Sequence, residues 1–289
     1  MDNPSPQIIK TTIDELRSQL IITGNYAYSN VTNLIESQIQ YDAAGHMIQN
    51  EHNENVSAQI MTEVYKAANT QTLLTRVQNS ADAVYQIFNE TISYFTQNFG
   101  ELSYEAIRQG KAITDIANNV ILYVLHTGNI NKYIIEPAQI AIADLIAAGS
   151  TSNNALSVME NKIKERFEHY IAPVVQTELE QYYRELNTLF AENYKLVWIQ
   201  YIRESSDSER RHFCERYDYA LTGNAYHIDE VKQWPSDNGN DWDGMIPNTN
   251  QGNILINAGG YNCLHSFNYI AARKVSPADM SRAKSKGFI

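Results

Sequence analysis

Both cysteines of the chain, Cys214 and Cys263, fall in its last third, and His227 and His265 lie close to them in sequence. Polar side chains surround them: Asp207, Arg210, Arg211 and His212 precede Cys214, and Asn262 precedes Cys263. Thiolate and imidazole are the donors a tetrahedral zinc ion prefers, so Cys214, His227, Cys263 and His265 form one candidate ligand set. Their spacing argues against it. Cys263-Leu264-His265 is tighter than the usual gap between paired finger ligands, and the sequence holds no C-x-x-C. A Cys–His nucleophile would need a base within hydrogen-bond reach and a third group to orient it, and no motif here supplies that set. A disulfide between Cys214 and Cys263 would need the two segments to meet and an oxidising compartment. The reading that asks least is two buried thiols packing as small hydrophobes, with no cofactor bound and no catalytic residue.

These side chains must be positioned by a chain of 289 residues, long enough for one large domain or two. It carries 33 acidic and 22 basic side chains, a net charge of −11, which disfavours the whole surface as a nucleic-acid footprint. With 43% apolar and 19% charged residues it has enough apolar surface for a packed core. No apolar run reaches the roughly 18 residues a membrane span needs. Met1-Asp2-Asn3-Pro4 has neither the positive nor the apolar region of a secretory leader, so a soluble protein made in the cytoplasm is expected. Two cysteines do not make a disulfide scaffold.

The first two thirds read as helix. Thr11 and Thr12 are N-cap types ahead of Asp14 and Glu15, and Ile13, Leu16 and Leu20 repeat on one helical face. Gly24 either ends that helix or interrupts it. Residues 41–54, rich in His and Asn, read as a loop. Helical spacing resumes near Ala58 and again after Ser80, with Gly100 as a closing residue. Further helices are expected from Ser103 to Gly149, broken near Gly110 and near Gly128-Asn129, with Pro137 in a first turn. Ile140–Ile146 is apolar nearly all round and reads as a buried helix. Ser150–Asn154 supplies caps for a helix whose Leu156, Met159, Ile163, Phe167 and Tyr170 form a packing seam. Pro173 should stop it and open the next, which carries Val175, Leu179, Tyr182, Leu186 and Phe190.

At Leu196 the pattern changes. Leu196–Ile202 is β-branched and aromatic and reads as a strand. Glycine and proline then become frequent, and Ile254–Ile256 and His265–Val275 read as two further strands, with a short helix over Asp229–Trp234. The fold expected is α+β: a long, mostly α-helical region followed by a small C-terminal α+β module. The divisions expected are residues 1–100, 101–194 and 195–289. The 19 tyrosines read as half-buried packing residues rather than a base-stacking face. The tail carries Arg273, Lys274, Arg282, Lys284 and Lys286 against Asp279, a polarised end that can touch phosphates or an acidic partner but more simply stays solvated.

The order of these features resembles the phage Mu F-like minor head proteins, also called phage head morphogenesis proteins. Four pieces carry the resemblance. They are Thr177-Glu178 within the helix Val174–Asn193; the strand Leu196–Ile202; Asp207…Arg210-x-x-Phe213-Cys214 leading to Gly223…Tyr226-His227; and Trp242-x-Gly244 followed by Gly259-Gly260-Tyr261-Asn262-Cys263-Leu264-His265. Gly110–Ile116 fits the same pattern more weakly. The resemblance covers roughly residues 106–275. Leu264 departs from it, because family members often have arginine there. What it implies is a bacteriophage virion component, not an enzyme. Such a minor capsid protein sits at the portal vertex, contacts the portal and other head proteins, and assists head assembly and genome packaging or ejection. The basic tail would be its contact with packaged DNA. The alternative is a metal-dependent nuclease or hydrolase using the Cys/His cluster, since Gly-Gly-Tyr-Asn-Cys-x-His also resembles fragments of ββα nucleases. The leading histidine base of those sites is not found, and His227-Ile228-Asp229-Glu230 does not fit the H-x-E of zinc deaminases.

Overall fold

The computed structural model describes residues 4–123, 130–203, 211–261 and 263–289, with Tyr170 described by its backbone only. The break expected at Gly128-Asn129 lies outside these. The chain forms two compact units. One comprises Met1–Lys10, Asp82–Asn118 and Gln176–Ile289, the other Thr11–Ala81 and Asn119–Val175. The boundaries fall inside helices, not near residues 100 and 194, because packing rather than composition decides which segments belong together.

The second unit is helical, as its 3.6-residue apolar spacing predicts. Helix α1 (Ser5–Ser37) enters it at Thr11 and buries Ile13, Leu16, Leu20, Val31 and Ile35. Gly24 does not end α1. A Cβ there would stand 2.9 Å from Phe167 Cβ, so the glycine serves close helix approach. The polar stretch after α1 is a loop only as far as Asn50, whose side chain caps α2 (Glu51–Ala68) by accepting from Asn53 N–H. The buried Asn53 amide ties the loop down, accepting from Gln40 N–H at 2.7 Å and donating to Ile48 O at 2.7 Å. Helix α3 (Gln71–Phe99) starts in this unit, and α4 (Tyr104–Tyr123) ends in it.

Helix α5 (Glu136–Ala147) carries Pro137 in its first turn. It is not buried all round. Ala141, Ile142, Leu145 and Ile146 face inward, whereas Ile140 is exposed and lines an open groove with Leu145 and Val158. Thr151 caps α6 (Ser152–Glu160) through Asn154 N–H. The seam after it is real, with Met159, Ile163 and Phe167 wholly buried, and it runs through two π turns, Asn161–Glu165 and Phe167–Ile171. Pro173 does not stop the helix. The π turn immediately before it relieves the interior position of its missing N–H, and the chain continues as α7 (Ala172–Asn193).

The first unit contains the sheet, built around β1 (Trp198–Arg203). Its partners are β2 (Tyr226–His227) and β3 (His265–Ile270), both antiparallel, in the order β2-β1-β3. Trp198 faces His227 on one side and Ile270 on the other; Tyr201 faces Phe267 and Arg203 faces His265. Helix α7 is tied to β3 by side chains rather than by greasy contact alone. Asn187 donates to Phe267 O at 2.5 Å, and the Thr188 and Tyr269 hydroxyls are 2.9 Å apart. On the other side of α7, Phe190 meets Phe88 and Phe95 of α3, and Tyr182 donates to Val84 O at 2.9 Å. Gly110 does not break α4. A Cβ there would lie 2.9 Å from the Phe190 ring, so this glycine also marks a close approach.

The expected strand over Ile254–Ile256 is instead a short helix, α12 (Ile254–Asn257), which follows α8 (His212–Tyr217), α9 (Tyr219–Thr222), α10 (Ile228–Val231) and α11 (Trp234–Asp237). A three-residue apolar run cannot distinguish strand from helix by period. The last strand stops at Ile270, short of Val275. Ser276 then caps α13 (Pro277–Ser285) through Asp279 N–H.

Trp198 is core beneath α13, clustering with Ala225, Ile270 and Ala283. Ile202 is half-buried. Truncating a buried aromatic costs about 3–5 kcal/mol. Trp198→Ala should therefore lower the urea midpoint markedly and free α13 to exchange its amides. An unchanged midpoint would show that this face carries no stability.

Candidate functional site

The chemistry-capable side chains of the last third converge in the first unit. Helix α8 carries Cys214, the approach to β3 carries Cys263, and β3 opens with His265. The two Sγ atoms are 3.8 Å apart as free thiols, and Cys263 Sγ is 3.9 Å from His265 Nδ1. Both cysteines and the histidine are no more than 5% exposed. Tyr201 of β1 is wholly buried and stacks on the His265 ring at 4.5 Å, with its hydroxyl 3.1 Å from Cys263 Sγ and 3.7 Å from Cys214 Sγ. That hydroxyl is not the wet tip expected of a surface tyrosine.

Behind His265 stands Asp218, completely buried at the start of α9, where one carboxylate oxygen accepts from Ala220 N–H at 2.9 Å. Its other oxygen faces His265 Nε2 at 3.5 Å, and neither atom has a hydrogen bond. Sulfur, imidazole and carboxylate thus stand in line. Burial raises the Cys263 thiol, but the hydrogen bond from Cys214, together with His265 and Arg184, outweighs it and holds Cys263 well below the ordinary thiol range. The shared hydrogen bond with Cys263, reinforced by burial, pushes Cys214 up. Burial also drives the Tyr201 phenol well above its usual value.

A second, inner support is Arg184 of α7, 1% exposed. Its guanidinium donates to His265 O at 2.9 Å, Ile256 O at 3.2 Å and Cys263 O at 2.5 Å, and it meets Glu180 at 3.4 Å one turn away. One side chain thus fixes the backbone on both sides of Cys263. A third support is made by the glycines. Gly260 has φ +104, and a Cβ there would collide with Gly244 O; Tyr261 N–H donates to that same oxygen at 2.8 Å. Trp242 donates to Gly259 O at 3.0 Å and stacks on Phe213 at 4.4 Å, while Arg211 lies over Gly244 and donates to Gly259 O at 3.3 Å.

Comparison with family models, with curated proteins and with solved structures finds no match to this chain.

Of the residues singled out from sequence, Cys214, Cys263, His265, Trp242, Gly259 and Gly260 are thus brought together. His227 is not. It belongs to β2, where its ring packs edge-on against Trp198 at 5.5 Å and lies parallel to Phe288, and its Nδ1 accepts from Asp229 N–H as the cap of α10. The four-residue ligand set Cys214, His227, Cys263 and His265 therefore fails at His227, whose place is set by its pairing with Trp198. Thr177 is buried in α7 and Glu178 half-buried, its carboxyl raised by desolvation. Asp207, Arg210 and Asn262 lie outside the described residues.

The basic end is only in part a solvated tail. Arg282 is bound to Asp279, Glu230 and Ala225 O and lies over the Tyr226 ring, and Lys286 pairs with Glu230 at 2.8 Å. Arg273, Lys274 and Lys284 remain exposed. Sequence reasoning missed Tyr201, Asp218 and Arg184. Only Asp218 left a local trace, as a cap-type residue ahead of a short turn.

Proposed function

We propose that the chain is a minor structural protein of a tailed-phage head, seated at the portal vertex and assisting head assembly and genome packaging or ejection. Its partners would be the portal and other head proteins. One observation carries this reading: the separate pieces of the resemblance close on each other as a single buried knot, with Trp242 and Gly244 against Gly259-Gly260, and Cys214 against Cys263 and His265. The chemistry-capable side chains point inward. A nuclease has to present its reacting groups to a phosphodiester, and here they lie beneath α8 and the glycine turn, which favours a rigid interaction module over a hydrolase. Packaged DNA would be met through Arg273, Lys274 and Lys284, the exposed cations of the end segment.

The test uses the full chain. Virions of the phage or prophage that encodes it should contain the protein, and a tagged copy should co-sediment with the portal oligomer encoded beside it. Absence from purified virions would sink the reading. Metal-dependent cleavage of plasmid DNA, lost in a folded His265→Ala variant, would replace it with the hydrolase.

A further inference from the structure

We infer that Cys214, Cys263 and Nδ1 of His265 bind a zinc ion, with Tyr201 closing the fourth side and Asp218 orienting the imidazole from behind. This stands independently of the head-protein reading. It reverses the expectation from spacing alone, because the tight Cys263-Leu264-His265 pair still brings Sγ and Nδ1 to 3.9 Å of each other, and His227 is not needed.

Three features of the geometry support it. The first is the size of the triangle. Zinc–thiolate bonds of about 2.3 Å in a tetrahedral site put two sulfurs roughly 3.8 Å apart. Cys214 Sγ and Cys263 Sγ are 3.8 Å apart, and all three donor atoms lie within 4.8 Å of one another. A disulfide needs about 2.05 Å, so these thiols are not bonded to each other, and their separation matches that of two sulfurs on one ion.

The second is a cradle left by a glycine. The point that a Gly259 Cβ would occupy is 2.6 Å from Cys214 Sγ, 2.9 Å from Cys263 Sγ and 3.0 Å from the Tyr201 hydroxyl. Only a glycine lets the backbone run this close to both sulfurs and leaves the space beside them open. A side chain at this position would fill it.

The third is the shell behind the imidazole. A metal-bound histidine almost always gives its other ring N–H to a carboxylate or carbonyl. His265 turns Nδ1 toward Cys263 and Nε2 toward buried Asp218, and both Nε2 and that carboxylate oxygen lack a hydrogen bond. Zinc on Nδ1 fixes the tautomer with the proton on Nε2, and a slight ring rotation then lets it donate to Asp218. Among the described residues, this is the one group of three or more metal-capable side chains so placed. Soft thiolates with imidazole select zinc over magnesium or calcium. Both sulfurs bind as thiolates, so the thiol protons still present leave to solvent as the metal enters.

The experiment begins with elemental analysis of the full chain purified in reducing buffer. About one zinc per chain is expected. After stripping with a chelator, refilling with cobalt(II) should give the intense visible bands of a tetrahedral site and a thiolate charge-transfer band. Asp218→Asn keeps the α9 cap and should weaken zinc binding about 10–100-fold, whereas His227→Ala should leave it unchanged. A folded Cys263→Ser variant should lose the metal. Should that variant not fold, the cobalt spectrum of the unsubstituted chain decides alone. Zinc far below stoichiometry with no cobalt–thiolate band would overturn the site. So would zinc retained in folded Cys263→Ser, or a Cys214–Cys263 disulfide persisting in reducing buffer.

Discussion

Arg184→Met should leave the sheet-bearing unit unfolded at ordinary temperature. The methionine keeps the length and removes the fork. The buried carbonyls of Cys263 and His265 and the half-buried one of Ile256 then lose this donor, and Glu180 loses a cation one turn away. A buried acceptor left without a partner costs about 1–3 kcal/mol, and breaking a buried ion pair from one side costs about 3–5 kcal/mol. Even discounted for relaxation, the sum reaches the range of a whole domain's stability, about 5–15 kcal/mol. Arg184→Lys should rescue little, since a single ammonium cannot reach carbonyls spread on two segments. Circular dichroism and urea melts would decide. A cooperative transition within about 1 kcal/mol of the unsubstituted chain would mean that these hydrogen bonds are incidental.

Gly260→Ala should be nearly as damaging, and for a different reason. The residue sits at φ +104, and its added Cβ would drive into Gly244 O with Met245 Cα only 3.0 Å away. Backbone cannot swing aside as a side-chain tip can. Left-handed strain and overpacking each cost about 1–3 kcal/mol, so the loss should be about 3 kcal/mol or more. Gly239→Ala is the internal control. It has φ +70 but open space around the missing Cβ, and should lose only about 1 kcal/mol. Equal losses at both glycines would show that φ alone matters and that the Gly244–Gly260 contact does not. Amide exchange at Tyr261, which donates to Gly244 O, should rise only in the first variant.

The helices and the central strand were legible because their signals are local. Leu16 and Leu20 on α1, and the aromatic run that became β1, carry their period within a few residues. The two glycines read as breaks, Gly24 and Gly110, show the limit of such signals. A missing Cβ interrupts a helix or lets a neighbour approach, and the neighbours here are Phe167 and Phe190, 143 and 80 positions away. Arg184 was invisible for the same reason. On an amphipathic helix an arginine reads as solvent-facing, and its acceptors lie at positions 256, 263 and 265. Residue type grouped His227 with the thiols, while its strand register sent it to Trp198. The division at residue 194 followed composition, yet it would cut α7 from the strand it clamps.

That clamp has a consequence for the order in which the chain is made. The acceptors of Arg184 lie 72 to 81 residues downstream. A nascent chain synthesised through β1 presents α7 with its buried-side arginine and asparagine exposed and no carbonyls to receive them. Pairings this distant are slow to form, and intermediates awaiting them expose apolar surface. The unit therefore closes only when β3 leaves the ribosome. Until then its long helices have no sheet to cover, and a message truncated before residue 265 yields a product for chaperones and proteases rather than a shorter working protein.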